Sequence, residues 1–233
     1  MTEQPIYAVG DIHGHLDQLE MVLARIEADG GAEARIVFLG DLVDRGPDSP
    51  GVIDRLQQGQ AEGRNWVVLR GNHDDIFQSF LESGNVQSPR TRPGITYLHD
   101  AVGGLTTLAS YGVDISRPDP AELRQQALEK VPFRHLEFLR SLPRYHQQQD
   151  LLFVHAGIRP GLPLHLQDPE DLIWIRHDFL NHPDPHPWLV VHGHTPADQA
   201  EHRGNRVNLD AGAGYGNPLA VARFDAAGGH LLT

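Results

Sequence analysis

The chain alternates between short apolar runs and amphipathic stretches. Seven runs of four to six residues are largely apolar and are bounded by Gly, Asp or His residues. Because apolar residues follow one another in these runs instead of alternating with polar ones, the pattern is typical of β-strands that are covered on both faces. The predicted strands lie at residues 6–9, 36–39, 66–69, 151–154, 188–191, 206–209 and 219–224.

Amphipathic helices are predicted between several of these strands. Leu16, Leu19, Leu23 and Ile26 recur at a spacing of three to four residues, which places them on one face of a helix. Similar apolar stripes occupy residues 49–56, 76–81, 120–142 and 169–180. This alternation of strands and helices predicts an α/β fold, in which reactive groups collect beyond the carboxyl ends of the strands.

The longest interval without a strand signal runs from about residue 84 to residue 143. It begins within a loop at 82–93 that is rich in Ser, Gly, Asn, Pro and Arg. Long ordered insertions are often functional, so this segment is a candidate cap over a site; the alternative is an insertion that only covers surface. No linker or change in composition divides the chain, which predicts a single domain over residues 1–233.

The composition narrows the choice of partners and ligands. The formal net charge of −12 predicts a surface that repels nucleic acid and acidic lipid unless bound cations reverse the local field. Without cysteine, the available metal ligands are the 15 histidines, the carboxylates and the amide oxygens. The N-terminus lacks a basic region, and no apolar run approaches the roughly 20 residues of a membrane span. We therefore expect a cytoplasmic protein that binds neither membranes nor nucleic acid; its oligomeric state stays open.

Three polar motifs directly follow the first three predicted strands. They are Gly-Asp-Ile-His-Gly at 10–14, Gly-Asp-Leu-Val-Asp-Arg-Gly at 40–46 and Gly-Asn-His-Asp at 71–74. Oxygen and imidazole ligands from successive strand ends can hold two divalent cations close together. Such a pair of ions activates water against a phosphate ester, so the motifs predict a metallophosphatase.

The candidate ligands divide between two ions. The first set is Asp11, His13 and Asp41, and the second set is Asp41, Asn72, His155 and His194. Asp41 belongs to both sets because a carboxylate has two oxygens and can bridge two ions. These nitrogen and oxygen ligands favour manganese, with iron or zinc as alternatives.

Together, these motifs resemble those of the phosphoprotein-phosphatase branch of the calcineurin-like metallophosphoesterases. Val-His-Ala-Gly at 154–157 and Gly-His-Thr-Pro at 193–196 follow in the order of that family, so the resemblance spans nearly the whole chain. It implies a fold of two mixed β-sheets, sandwiched together and flanked by α-helices. It also implies a dinuclear metal centre and hydrolysis of phosphomonoesters, in which a hydroxide held by the two ions attacks phosphorus in line.

The resemblance also assigns roles to residues beside the metal ligands. It makes His73 the general acid, oriented by Asp44, and it makes Arg45 and Arg176 the clamps for the phosphoryl oxygens. Tyr215 would line the substrate site. Physical chemistry agrees, since an imidazole bonded to a carboxylate keeps a proton to deliver, and a guanidinium group can bond two oxygens at once. The alternatives are that His73 only supports the metal ligands and that the arginines and Tyr215 are structural.

Four further residues near the motifs receive other interpretations. In the family pattern the ligand is the histidine of Gly-His-Thr, so we expect His194 to be the ligand and His192 to pack behind the site. Pro196 stands where nuclease-like relatives have another histidine, which counts against that branch. Arg70 is expected to form a structural ion pair, and Arg159 is expected to be solvated.

Three functions remain open from the sequence. The first expectation is a serine/threonine protein phosphatase. The alternative is a diadenosine tetraphosphate hydrolase, which shares the motifs and for which Arg90, Arg92 and Tyr97 are available to contact a nucleotide. The third is a non-catalytic scaffold, which is disfavoured because no ligand position has been lost. The departures from the protein-phosphatase pattern are Asp74 in place of Glu and a short C-terminal part, and the second of these leaves the substrate open.

Overall fold

Two mixed β-sheets form the centre of the protein in a computed structural model that describes residues 4–226 and 228–232. The first sheet has the order β10 (Gly228–Leu231), β9 (Val221–Asp225), β1 (Ile6–Val9), β2 (Arg35–Phe38), β3 (Trp66–Val68). The second has the order β4 (Tyr145–Gln148), β5 (Leu151–Val154), β6 (Leu189–His192), β8 (Arg206–Asn208), β7 (Glu201–His202). In each sheet three neighbouring strands are parallel, namely β1, β2 and β3 in the first and β5, β6 and β8 in the second.

The two sheets pack face to face through apolar side chains. Ala8 and Val37 of the first sheet and Phe153 and Val191 of the second lie in one buried cluster. This explains the continuous apolar runs of the sequence, because the central strands are covered by the other sheet on one face and by helices on the other. The predicted α/β fold with two mixed, flanked sheets is confirmed.

Helices cover the outer face of each sheet. The first sheet is covered by α1 (Leu16–Gly30), α2 (Ser49–Ala61), α3 (Asn72–Ser83), α4 (Gly104–Ser110), α5 (Pro120–Lys130) and α6 (Phe133–Ser141). The second sheet is covered by the short helices α7 (Asp171–Trp174) and α8 (His177–Leu180). Among the described residues, no helix combines the length and the apolarity that a membrane span requires.

Two predicted helices are each interrupted in the structure. The stretch 120–142 divides into α5 and α6 because Val131 precedes Pro132 and takes an extended conformation. The stretch 169–180 divides into α7 and α8 at Ile175, which is also extended. Segment 84–143 contains no strand among its residues, all of which are described, and its helices bury Leu108 and Leu139 in the core shared with α2 and α3. Its role as a cap stays a prediction.

Candidate metal and phosphoester site

The candidate ligands lie just beyond the carboxyl ends of five parallel strands. Asp11 follows β1, Asp41 follows β2, Asn72 follows β3, His155 follows β5 and His194 follows β6. The structure thus brings together side chains that the sequence spreads over more than 180 positions. Both sheets contribute, so the site lies at the shared edge of the sandwich.

The backbone of these loops is held in an unusual conformation. Six described non-glycine residues have positive φ angles, and five of them belong to the site: His13, Asp41, Asp44, Arg45 and His194, with φ between 48° and 71°. Such conformations are disfavoured for residues with a side chain and persist only where the surroundings enforce them. Their concentration here shows that the fold maintains backbone strain in order to aim these side chains inward.

Two glycines leave room for the carboxylates. A Cβ atom at Gly71 would lie 2.1 Å from Asp41 Oδ1, and one at Gly193 would lie 1.9 Å from Asp11 Oδ1. Both positions therefore accept only glycine without displacement of a carboxylate. This is the physical reason for the glycine that begins the Gly-Asn-His and Gly-His-Thr motifs.

The first ligand group contains Asp11, His13 and Asp41. His13 Nδ1 donates to the carbonyl oxygen of Val43 at 2.9 Å, so the neutral ring presents a lone pair at Nε2, which lies 3.7 Å from Asp41 Oδ2. Asp11 Oδ2 accepts from the backbone N–H of His194 at 3.0 Å. Its Oδ1 is buried and has no hydrogen-bond partner among the described residues. A buried carboxylate oxygen without a partner is costly, and a cation would satisfy it.

The second ligand group contains Asp41, Asn72, His155 and His194. His155 Nδ1 donates to the carbonyl oxygen of Leu39 at 2.9 Å, so its Nε2 also presents a lone pair. That nitrogen lies 3.4 Å from Asp41 Oδ1 and 3.0 Å from Asn72 Oδ1, and His194 Nδ1 lies 2.7 Å from the same amide oxygen. Two acceptors, the lone pair of His155 and the carboxylate of Asp41, face each other here, which suits a cation between them.

Asp41 belongs to both buried groups that could hold a metal ion. One group is His13, Asp41 and His73, and the other is Asp41, His155 and His194, each with ligand atoms within 4.8 Å of one another. Burial raises the pKa of Asp41, but the histidines, His155 first, lower it more, so that its pKa falls well below the usual value. Burial lowers the pKa of His13 and His194 well below their usual value. At neutral pH the charged carboxylate of Asp41 thus lies beside the neutral imidazoles of His13 and His194, which is a donor set that fits divalent ions.

His73 and Asp44 form a hydrogen-bonded pair beside the ligands. His73 Nδ1 donates to Asp44 Oδ2 at 2.7 Å, and Asp44 is fully buried. The other carboxylate oxygen accepts from Thr107 Oγ1 at 2.8 Å, and the Asp44 backbone N–H donates to the same hydroxyl at 2.8 Å. The predicted orienting carboxylate is therefore itself oriented by Thr107 of α4, a residue that no motif of the sequence points to.

Arg45 and Arg176 lie at the rim of the ligand groups. Arg45 Nη2 is 3.0 Å from His73 Nε2, its Nη1 bonds His13 Nε2, and its guanidinium group lies over the ring of Tyr215 at 4.6 Å from the centroid. Arg176 is exposed, and its Nε donates to His194 Nε2 at 3.1 Å. The two arginines therefore contact ligand-group histidines directly, and Tyr215 packs against one of them.

Other residues of the motifs support the loops instead. Asp74 accepts from the backbone N–H groups of Leu42 (2.9 Å) and Gly71 (2.8 Å), so its carboxylate joins the second and third motifs. Burial, together with the charge of Asp41, raises the pKa of Asp74 to about 7. Arg70 donates to Asp75 at 3.0 Å, which is the structural ion pair predicted for it.

His192 faces away from the ligand groups. Its Nδ1 lies 3.0 Å from the carbonyl oxygen of Gly193, its Nε2 lies 3.2 Å from Arg206 Nη1, and its ring packs edge-on against Phe179. Asp210, which sequence reasoning missed, is buried close to Asp11. Burial raises the pKa of Asp210 to about 6, and its charge is the second cause, after burial, of the raised pKa of Asp11.

Tyr97 and Arg90, which the sequence offered for nucleotide contact, have other neighbours in the structure, and so does Arg159. Tyr97 is buried against Phe77 and Phe80, so it cannot contact a nucleotide as the sequence suggested. Arg90 and Arg159 both bond Asp171, at 3.4 Å and 2.7 Å, so Arg159 is paired as well as partly solvated.

The chain is similar along most of its length to bacterial proteins named asymmetrical bis(5'-nucleosyl)-tetraphosphatase PrpE. It is 25% identical to the one from Oceanobacillus iheyensis, over 93% of this chain and 87% of that protein. It is 27% identical to the one from Bacillus mycoides, over 93% and 89%. A crystal structure described as a putative diadenosine tetraphosphatase superposes with a TM-score of 0.68 at 21% identity, over 99% of this chain and 94% of that one, which shows a shared fold.

The family model described as calcineurin-like phosphoesterase matches residues 4–230. This range includes all the motifs and every residue of the site described above. The chain therefore belongs to the calcineurin-like phosphoesterase family.

Proposed function

We propose that this protein is a metal-dependent hydrolase that cleaves dinucleoside polyphosphates asymmetrically. The observation that carries the hydrolase part is the arrangement of six buried ligand side chains beside the His73–Asp44 pair and Arg45. The substrate class is supported by the relatives named bis(5'-nucleosyl)-tetraphosphatase, which match 93% of the chain. The similarity thus favours the alternative over the first expectation from the sequence.

We assign two divalent cations to the ligand side chains. One would be held by Asp11, His13 and Asp41, and the other by Asp41, Asn72, His155 and His194. When bound, the ions supply Lewis acidity and make water nucleophilic at neutral pH. Manganese is the first candidate, and iron and zinc suit the same nitrogen and oxygen donors.

Arg45 and Arg176 would neutralise the phosphoryl oxygens. The protein has a net charge of −12, and these two guanidinium groups place positive charge at the rim of the site. Guanidinium forks suit two oxygens of one phosphate, and positive groups aimed at developing charge contribute most where water is excluded. In the structure both groups donate to imidazole nitrogens, so a bound phosphate would replace these contacts with stronger charge-assisted ones.

His73 would protonate the departing oxygen. Its Nδ1 is held by Asp44, which leaves Nε2 directed at the site, 4.0 Å from Asp41 Oδ2. Proton delivery matters most when the leaving oxygen is a strong base, such as the alkoxide of serine, and less when it belongs to a phosphate. The His73–Asp44–Thr107 chain is therefore the observation that keeps a second candidate, the serine/threonine protein phosphatase.

A substrate panel tests the proposal. Manganese-loaded protein should show a higher kcat/KM for diadenosine tetraphosphate than for a phosphoserine or phosphothreonine peptide, with ATP and AMP as products. Chromatography of the products and phosphate release measure the two activities. Hydrolysis of the peptide alone would support the second candidate. Failure to hydrolyse either substrate or an aryl phosphate, with manganese, iron or zinc, would support the scaffold hypothesis.

A further inference from the structure

A cavity of about 280 Å³ opens beside Arg45. One wall comes from residues 98–106, within the long segment between β3 and β4, and the other comes from Gly214 and Tyr215. Ligand pockets begin at about 300 Å³, so the cavity matches a small organic group. It adjoins the first ligand group through Arg45, which lines the cavity and also bonds His13.

Tyr215 presents an aromatic ring to solvent in a fixed position. Its side chain is 63% exposed, yet the guanidinium group of Arg45 lies over its ring. The preceding Gly214 is so close to the site that a Cβ atom there would lie 2.6 Å from His13 Cδ2. Gly212 and Gly216, with φ angles of 83° and 94°, turn the chain on either side. An exposed ring held this rigidly is suited to stacking against a planar group.

The opposite wall is fixed to the loop that carries Asp44 and Arg45. The backbone N–H of Arg45 donates to the carbonyl oxygen of Gly103 at 3.4 Å, and Thr107, just beyond this wall, donates to Asp44. A Cβ atom at Gly103 would lie 2.7 Å from the backbone nitrogen of Arg45. The wall and the phosphate clamp therefore have a set separation, and a substrate that contacts both must have matching length.

The charges of the cavity select an uncharged group. Arg45, at the inner end, is the one arginine or lysine among the described residues that line it, and Asp100 lies on the wall of residues 98–106. A phosphate would be attracted to Arg45 and repelled by Asp100. The phosphate chain therefore stays at the inner end, and the cavity takes a neutral group whose hydroxyls can donate to a carboxylate.

We infer that this cavity binds the nucleoside nearest to the scissile phosphate, with the base against Tyr215 and the ribose hydroxyls towards Asp100. The inference rests on the proposed function for the identity of the substrate. Any of the bases can stack on an aromatic side chain, because every base has a π-face. A carboxylate that accepts from a ribose hydroxyl is a common feature of nucleotide-binding sites. A phosphopeptide is the competing occupant, but the carboxylate of Asp100 would make no favourable contact with its phosphate.

Filling the cavity tests this assignment. Ala101 lines the cavity and is exposed, so Ala101→Trp should fill it without touching a metal ligand. Ala109→Trp is the matched control, because Ala109 is also exposed, lies on α4 and does not line the cavity. Both variants should unfold at the temperature of the wild type.

The readout is adenosine, which carries no phosphate. Adenosine should inhibit aryl phosphate hydrolysis by the wild type and by Ala109→Trp. In Ala101→Trp its inhibition constant should rise about tenfold, equivalent to about 1.4 kcal/mol. Saturation-transfer NMR of adenosine measures the same binding without turnover. The ratio of kcat/KM for diadenosine tetraphosphate to that for aryl phosphate should fall in parallel.

The outcomes separate this inference from the proposed function. Adenosine binding that Ala101→Trp abolishes, in a protein that does not hydrolyse dinucleotides, would keep the cavity and reject the proposed function. Dinucleotide hydrolysis that is equal in Ala101→Trp and Ala109→Trp would reject the cavity and keep the function. A lower kcat/KM of Ala101→Trp for phosphopeptide, with unchanged adenosine inhibition, would assign the cavity to peptide and overturn the inference.

Discussion

At the scale of single residues, two backbone carbonyl groups determine which imidazole nitrogens face the candidate metal site. A carbonyl oxygen can only accept, so Val43 and Leu39 fix the proton of His13 and His155 on Nδ1. Burial is the main reason why the pKa of each ring is lowered. Both rings therefore present Nε2 lone pairs at neutral pH, and a cation can bind without first displacing a proton from them.

The role of His73 can be tested by the basicity of the leaving group. His73→Asn should lower kcat for a phosphoserine peptide by about 10²- to 10⁴-fold, because the serine alkoxide then leaves without a proton. The loss for diadenosine tetraphosphate should be much smaller, since its leaving phosphate is a weaker base. Steady-state kinetics on both substrates measure the two ratios.

The control for this substitution is His165→Asn, because His165 is exposed and lies outside the ligand groups. It should leave both rates near those of the wild type. Equal losses on the two substrates in His73→Asn would show that His73 supports the metal ligands and does not deliver the proton.

At the scale of elements, the loop between β3 and α3 has no space for a side chain at Gly71. Its φ angle is −96°, which alanine accepts, so Gly71→Ala acts only through the Cβ atom that would meet Asp41 Oδ1 and the backbone nitrogen of Asp41. We expect displaced Asp41, fewer bound manganese ions per chain and at least a tenfold loss of activity. Metal analysis after desalting measures the stoichiometry.

Gly63→Ala provides the comparison for this loop. Its φ angle is 79° and open space surrounds it, so alanine costs about 1 kcal/mol of stability through the backbone alone. The metal content should stay at the wild-type value. A Gly71→Ala protein that retained all its manganese would contradict the close approach of this loop to Asp41.

The carboxyl end of β6 places a second buried histidine, His192, behind the site. Burial lowers the pKa of His192 to about 3, whereas its value in the unfolded chain is 6.5. Between these pH values the unfolded chain binds one more proton at this residue than the folded chain does. The free energy of unfolding therefore decreases as pH falls from about 6.5 towards 3. Above pH 6.5 the contribution is constant.

Replacing His192 should therefore make the free energy of unfolding less dependent on pH below about 6.5. Between pH 6 and pH 4, His192→Gln should lower the slope of the unfolding free energy against pH. The decrease should correspond to the uptake of up to one proton on unfolding, as measured by urea unfolding at several pH values. His202→Gln, an exposed histidine on β7 in the same sheet, should keep the wild-type slope. An unchanged slope in His192→Gln would show that His192 is protonated in the folded protein.

Elements with a strong local signal were predicted from the sequence, and those defined by partners were not. The central strands are apolar runs, and the loops after them carry the ligand types, so the location of the ligands at strand ends followed from the pattern. Strand β4 has the sequence Tyr-His-Gln-Gln and lies at a sheet edge, so only its pairing with β5 identifies it. Thr107 was missed because its contact with Asp44 joins residues 63 positions apart.

At the scale of the whole molecule, the ligands join the two sheets. Asp11, His13, Asp41 and Asn72 follow strands of the first sheet, and the two remaining ligands follow strands of the second. Buried carboxylates near Asp11 repel one another, as the raised pKa of Asp11 shows, with burial as the first cause and Asp210 and Asp41 as the next. Cations at this position would remove the repulsion and link the sheets, so we expect metal binding to stabilise the entire fold.

Thermal unfolding tests this link between the metal site and the fold. Manganese at 100 times its Kd should stabilise the folded protein by about 2.7 kcal/mol for each site, and a chelator should reverse the rise in Tm. Asp41→Asn should abolish most of this rise because Asp41 serves both ions. Magnesium, which prefers all-oxygen ligands, should raise Tm less than manganese does. Equal Tm values with manganese and with chelator would contradict a metal centre that spans the two sheets.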